Sequence, residues 1–299
     1  MTPWDGRGLP PAAAARVQRA ADTRVRSSLL SSPAVAALGD VGLEPVGEVM
    51  GCVVMHLGWS GWGCNAYSRW GGPVNNVGYV PAQFSGQGNS AYEPYVRALY
   101  NGFEQALRRL LLEAQALGAD GAVGIRWTQQ RVDGVGNREF VALGTAVRAR
   151  GSARPAHLFS TDLAGEEVAK LMLSGWMPVG LAVGVSVGVK HDDYYTRTQA
   201  NSFMSGNTEV AGYTELVHGV RSDARAQFAH RAARQGGDAS IVSRISLDTW
   251  ANESNDHRDH LAQCFIFGNS LASFGGHEGR RARRAAETLT VLPLTTTTP

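Results

Sequence analysis

The chain has 299 residues, of which 43% are hydrophobic and 18% charged. Such a chain can bury a core and is long enough for two domains of ordinary size, which excludes wholesale disorder. Its 28 basic and 26 acidic residues leave a net charge of +2, so charge gives no reason to expect nucleic acid or an anionic membrane as main partner.

The N-terminal extension, residues 1–30, opens Met1-Thr2-Pro3-Trp4-Asp5 without the basic-then-apolar pattern of a targeting signal. Pro10-Pro11 then start an Ala/Arg helix over roughly 12–30. A first module is expected over 31–150. It begins with a short helix near 32–38 and a valine-rich strand over 45–56, with Pro45 at its head where a missing N–H does least harm. A long loop, 56–89, carries Trp59, Trp62, Tyr67, Trp70 and Tyr79 among many glycines. The apolar positions Val96, Leu99, Phe103, Leu107, Leu110 and Leu111 then recur with 3-4 spacing, which predicts an amphipathic helix over 92–117 closed by Gly118. Two strands, 122–132 and 140–149, finish the module.

After the linker Gly151-Ser152-Ala153-Arg154-Pro155 the plan repeats over 156–274. A helix is expected near 161–173, a strand over 178–190, a long helix over 208–235 closed by Gly236, and strands over 240–247 and 261–269. The repetition is visible in residues. Val35-Ala36-Ala37-Leu38 recurs as Val168-Ala169-Lys170-Leu171, and Gly42-Leu43-Glu44-Pro45-Val46-Gly47 as Gly175-Trp176-Met177-Pro178-Val179-Gly180, at one constant offset. Gly118-Ala119-Asp120-Gly121-Ala122-Val123 matches Gly236-Gly237-Asp238-Ala239-Ser240-Ile241 at a smaller one. Three blocks in one order make a tandem repeat the simplest reading. Residues 275–299, with Arg280, Arg281, Arg283 and Arg284 before a threonine run, read as a disordered tail.

Glycines four apart, Gly47/Gly51 and Gly180/Gly184/Gly188, fall on one face of each first strand and invite another backbone to approach closely. Small residues four apart also mark packed membrane helices. The valine content and the absence of any apolar run near the roughly 20 residues of a membrane span favour the strand and a cytoplasmic protein.

Little reactive chemistry is spelled out. Cys52, Cys64 and Cys264 are few and scattered, which argues against a disulfide framework or a cysteine-rich zinc site. No phosphate loop, His-Glu-x-x-His or dinucleotide fingerprint occurs. The densest ligand set is Asp256, His257 and His260; in a turn or helix the two histidines could share a divalent metal, and the alternative is a polar hairpin loop. His191-Asp192-Asp193 reads as a solvated strand end. Asp120 and Asp238, just past helix C-termini, are expected to fix their own turns. The aromatic loop offers either a partner surface or anchors for its own core.

Gly-x-x-Pro-Val-Gly-x-x-x-Gly, the segment Leu117-Gly118-Ala119-Asp120-Gly121-Ala122-Val123-Gly124, and Gly144-Thr145-Ala146-Val147 resemble the YbjQ (UPF0145) family, whose label invokes heavy-metal binding. In the second copy Gly-Thr-Ala-Val has become Gly268-Asn269-Ser270-Leu271. The resemblance implies an α+β fold of two tandem β-α-β-β (dodecin-like) modules. Each would be a three-stranded sheet with one long helix, and family members assemble as rings, commonly pentamers. The expected function is a non-enzymatic, ring-forming homo-oligomeric scaffold or binding protein. The alternatives are a heavy-metal-binding protein and, third, an enzyme with a site made between subunits. Assembly was expected to use the sheets and the glycine rows.

Overall fold

The computed structural model of the chain describes residues 4, 8–23, 27–57, 78–87, 92–132, 136–152, 154–201, 207–254 and 257–274. The expected disordered tail, four aromatic residues of the long loop (Trp59, Trp62, Tyr67 and Trp70), and Asp256 lie outside these residues.

The fold is α+β. A first helix, α1 (Pro11–Thr23), is followed by α2 (Ser32–Asp40), which is capped by Ser31, whose side chain accepts from the Ala34 N–H. Then come β1 (Leu43–His56), β2 (Gln83–Phe84), α3 (Glu93–Ala116), β3 (Gly121–Arg131) and β4 (Asn137–Ala149). The second half comprises β5 (Phe159–Ser160), α4 (Gly165–Leu173), β6 (Trp176–His191), α5 (Tyr194–Asn201), α6 (Ala211–Arg234), β7 (Ala239–Ser254) and β8 (His257–Ser273). The strands form two four-stranded sheets, ordered β1-β4-β3-β5 and β2-β6-β8-β7.

The layers run sheet, helix, sheet, helix. The inner face of the first sheet (Val49, Val53, Ile125, Trp127, Phe140, Ala142) packs on α3. The opposite face of α3 packs on the second sheet through Leu181, Val183, Val185, Val187 and Val189 of β6 with Phe265 and Phe267 of β8. Phe103 joins the two: its ring meets Trp127 and Phe140 edge-on at 5.4 and 5.0 Å on one side, and Phe267 and Phe265 at 5.4 and 6.0 Å on the other. The far face of the second sheet, with Ala182, Cys264 and Ile266, takes α6 through Leu216, Val220, Ala224 and Phe228. β6 is therefore covered on both sides, which is why its sequence has no polar face.

The three long strands of each sheet, β1-β4-β3 and β6-β8-β7, share order, antiparallel pairing and irregularities, while the short fourth strand joins opposite edges. The β1/β4 ladder slips between Pro45 and Gly47, and the β6/β8 ladder between Pro178 and Gly180. Both long helices end in glycines with positive φ, Gly118 at 68° and Gly236 at 79°. The two aspartates that follow do more than fix their own turns, contrary to the sequence expectation. Asp120 accepts from the Ala149 N–H at 2.7 Å and Asp238 from the Ser273 N–H at 2.9 Å, each tying down the end of the last strand of its half.

The glycine rows are filled from within the chain, which corrects the expectation that they serve assembly. A Cβ on Gly51 would sit 1.8 Å from the Ala106 carbonyl oxygen of α3, and one on Gly184 would sit 2.2 Å from the Ala224 carbonyl oxygen of α6. At Gly51 and Gly184 a helix backbone lies directly on the strand, while Gly47, Gly180 and Gly188 make room for side chains.

The free edges are managed unequally. The edge of β1 is met by α3: Glu113 accepts from the Met50 N–H at 2.9 Å, and Arg109 donates to the Cys52 carbonyl. Buried Glu113 is also held by Arg16 of α1 through two bonds of 2.9 Å. The edge of β6 is completed by β2, the Ser85 hydroxyl on Val187 N–H, and Tyr100, whose hydroxyl accepts from Val185 N–H at 2.8 Å and donates to its carbonyl at 3.2 Å. β5 pairs in parallel with β3. β7 ends its sheet, with Ile241, Val242 and Ile245 exposed by 37, 45 and 45%.

Candidate functional site

The densest cluster of ionisable groups lies where β6 ends. The last two residues of β6, Lys190 and His191, and the turn residues Asp192 and Asp193 that follow sit beneath Tyr79 and Val80 of the first half. Lys190 and Asp193 are each fully buried and paired at 2.8 Å. The Lys190 ammonium also donates to the Val80 carbonyl, lies 3.8 Å from Glu215, and stands 4.1 Å from the centroid of the Tyr79 ring. Asp193 accepts from the backbone N–H groups of Val80 and Thr196, both at 2.7 Å. Burial opposes its charge, but these donors and the ammonium outweigh it and hold the carboxyl below the usual aspartate range. Tyr79 donates to Glu215 at 2.6 Å, a bond to a carboxylate that pushes its phenol up to about 12.

Two histidine–carboxylate pairs stand beside this ion pair. His191 Nδ1 lies 2.5 Å from Asp259 Oδ1, both residues buried. His260 Nε2 lies 2.7 Å from the Tyr213 hydroxyl and 3.2 Å from Asp192 Oδ1. Burial holds the His260 imidazole below the ordinary histidine range and, with the Asp192 charge, raises Tyr213 to about 12. The expectation of a solvated strand end at His191-Asp192-Asp193 is therefore wrong. The cause is distant in sequence: residues 78–82 fold across from the first half and seal the end of β6.

Of the metal candidates, His257 opens β8 opposite Ser254, and His260 lies further along the same strand opposite Ala251 and Lys190. The polar hairpin expected around them is shorter than the sequence suggested, because β7 continues to Ser254 and β8 starts at His257. Positions three apart in a strand fall on opposite faces, unlike the turn or helix in which the two would meet. Among the described residues no three His, Cys, Asp or Glu side chains converge on one point. Of the aromatic loop, Tyr79 is described, and it serves as an anchor over Lys190. Sequence reasoning missed Lys190, Tyr213 and Glu215, and read Asp193 as solvated. A lysine inside an otherwise apolar strand was the available signal.

Comparison with known proteins gives three findings. Residues 83–150 match the model of the YbjQ family, described as "Putative heavy-metal-binding". A UPF0145 protein of Halorubrum lacusprofundi is 41% identical over 56 residues, covering 19% of this chain and 53% of that one. The encapsulin nanocompartment protein Rv1762c of Mycobacterium tuberculosis is 29% identical over 253 residues, covering 81% of this chain and 85% of that one. The YbjQ segment runs from β2 through α3 to β4, so it includes the strand that completes the second sheet and the helix shared by both. Among the described residues no helix is long and apolar enough to cross a membrane.

Proposed function

We propose that the chain is a non-enzymatic, self-assembling scaffold built of two tandem YbjQ-type modules that closes into a homo-oligomeric ring, five-membered as the family resemblance implies. The observation that carries this reading is the bare outer edge of β7. A terminal strand with Ile241, Val242 and Ile245 exposed is a liability that a monomer leaves open and an assembly covers. The likeness over most of the chain to a protein named for a nanocompartment supports a role in building or filling a protein assembly. The test is solution mass by light scattering at micromolar concentration. A multiple of 31.9 kDa is expected, and a mass of 31.9 kDa would overturn the reading.

The family description favours a second reading, a divalent-metal site. It would centre on His260 and Asp192, which already converge at 3.2 Å. Elemental analysis of protein purified without a histidine tag tests it. Stoichiometric metal that is lost in His260→Ala would establish this reading in place of a metal-free scaffold.

A further inference from the structure

Within one chain the second half docks onto the first through a short extended segment. Phe159 N–H donates to the Asp120 carbonyl at 3.2 Å and Thr161 N–H to that of Ala122 at 3.0 Å. In return, Ile125 and Gly124 donate to the carbonyls of Thr161 and Leu163, both at 3.0 Å. The segment thus lies as a parallel strand on the outer edge of β3. Beneath it, Phe159, Leu163 and Val168 of the second half bury themselves against Leu38, Leu43, Val123 and Val147 of the first.

The segment is also fixed to its own half. Asp162 N–H donates to the Asn269 side chain at 3.2 Å, and Leu163 N–H to the Thr161 hydroxyl at 3.1 Å. The first half holds its own corresponding segment in the same way. Leu29 N–H donates to the Thr145 hydroxyl at 3.0 Å and Leu30 N–H to the Ser28 hydroxyl at 3.2 Å. Each pair of bonds is related by the offsets that define the repeat. The segment 27–30 is therefore set in the conformation of a donor, yet Ser27 and Ser28 are exposed and Leu29 and Leu30 half-exposed.

The receiving side is present too. β7 corresponds to β3, and Ile241, 37% exposed, to Val123, which is fully buried. The other counterparts of the receiving pocket, Leu171, Trp176 and Leu271, are also apolar. On the donor side Leu30 and Val35 match Leu163 and Val168; only Arg26 replaces an apolar residue, Phe159. Val35 is 37% exposed where Val168 is fully buried. Among the described residues, Val35 and Ile241 are thus left exposed at the two ends of the chain, with Leu30 and Leu171 only partly covered by the core between the halves, and the two ends are complementary.

We infer that a second copy of this chain supplies the missing partner. Segment 27–30 of one copy adds as a parallel strand to the outer edge of β7 of the next, repeating between chains the contact that joins the two halves within one. Such a contact is head-to-tail: it closes a ring when the rotation per chain divides a full turn and otherwise grows a filament. The side-chain core of the contact is Leu30 and Val35 against Ile241, Leu171 and Trp176.

This inference rests on the assembly reading, and one experiment separates them. Val35→Asp destroys the donor and Ile241→Asp the receiver, each at a side chain 37% exposed, so circular dichroism of each variant should match wild type. Each variant alone should have the mass of a monomer, 31.9 kDa. A one-to-one mixture should form dimers of twice that mass and no larger species, because one intact donor meets one intact receiver. Assembly unmoved by either substitution, or variants that stay monomeric when mixed, would overturn the head-to-tail contact while leaving self-assembly standing. A wild-type monomer would overturn both.

Discussion

The buried ion pair at the end of β6 makes a quantitative claim. Lys190→Met keeps the length and bulk of the side chain, so it opens no sizeable cavity, but it removes the ammonium. Asp193 then keeps its bonds from Val80 and Thr196 N–H while losing the ammonium paired with it at 2.8 Å, at a position with no exposure to water. Leaving one member of a buried pair uncompensated costs about 3–5 kcal/mol. Tyr79 and the Val80 carbonyl also lose the group they close over, so residues 78–82 should loosen. With a urea dependence of about 3 kcal/mol per molar, the unfolding midpoint should fall by roughly 1 M or more. The double variant Lys190→Met/Asp193→Asn should recover part of that loss, because the carboxylate charge is gone and the two sites touch. A midpoint for Lys190→Met within about 0.3 M of wild type would refute the claim that this ion pair holds the two halves together.

Three other outcomes are expected. Gly184→Val, whose Cβ would lie 2.2 Å from the Ala224 carbonyl oxygen, should push α6 off β6 and cost about 3 kcal/mol or more, read as a fall in the thermal midpoint together with lost near-ultraviolet dichroism. Glu113→Gln removes the carboxylate that Arg16 grips with two bonds, so trypsin should cut within α1 faster than in wild type while the rest of the chain stays resistant. His260 is held below its ordinary pKa, so below about pH 6.5 the unfolded chain binds a proton that the folded chain refuses. The stability it contributes above that pH is lost as pH falls; wild type should lose more stability between about pH 7.5 and 5.5 than His260→Gln, measured by urea midpoints.

Much of the fold was legible because its helix ends and first strands are marked in small residues. Gly118, Gly236 and the Gly47/Gly51 and Gly180/Gly184/Gly188 rows located the helix ends and first strands, since positive φ and backbone contact leave few alternatives. What the glycines touch was not legible. A row open to close approach looks the same whether a helix of the same chain or a neighbouring molecule fills it. The end of β6 failed for a related reason: local polarity at His191-Asp192-Asp193 suggested solvent, and nothing near them in sequence announces that residues 78–82 lie on top. Asp120 and Asp238 were misread because a carboxylate after a helix can serve its own turn or a strand that returns about thirty residues later. Strand length failed at the hairpin, where Asn252, Glu253 and Arg258 are polar yet lie in a continuous ladder, as the exposed end of an antiparallel pair permits.

The shared helix α3 binds the two sheets into one core. In a simple tandem array each unit keeps a complete coat, and either could be lost or moved. Here the second sheet is coated on one side by a helix encoded in the first half, and its edge is finished by β2, Ser85 and Tyr100, also from the first half. A strand such as β6, apolar on both faces, can persist only while that loan continues. The core of the second half is therefore covered only in the presence of the first.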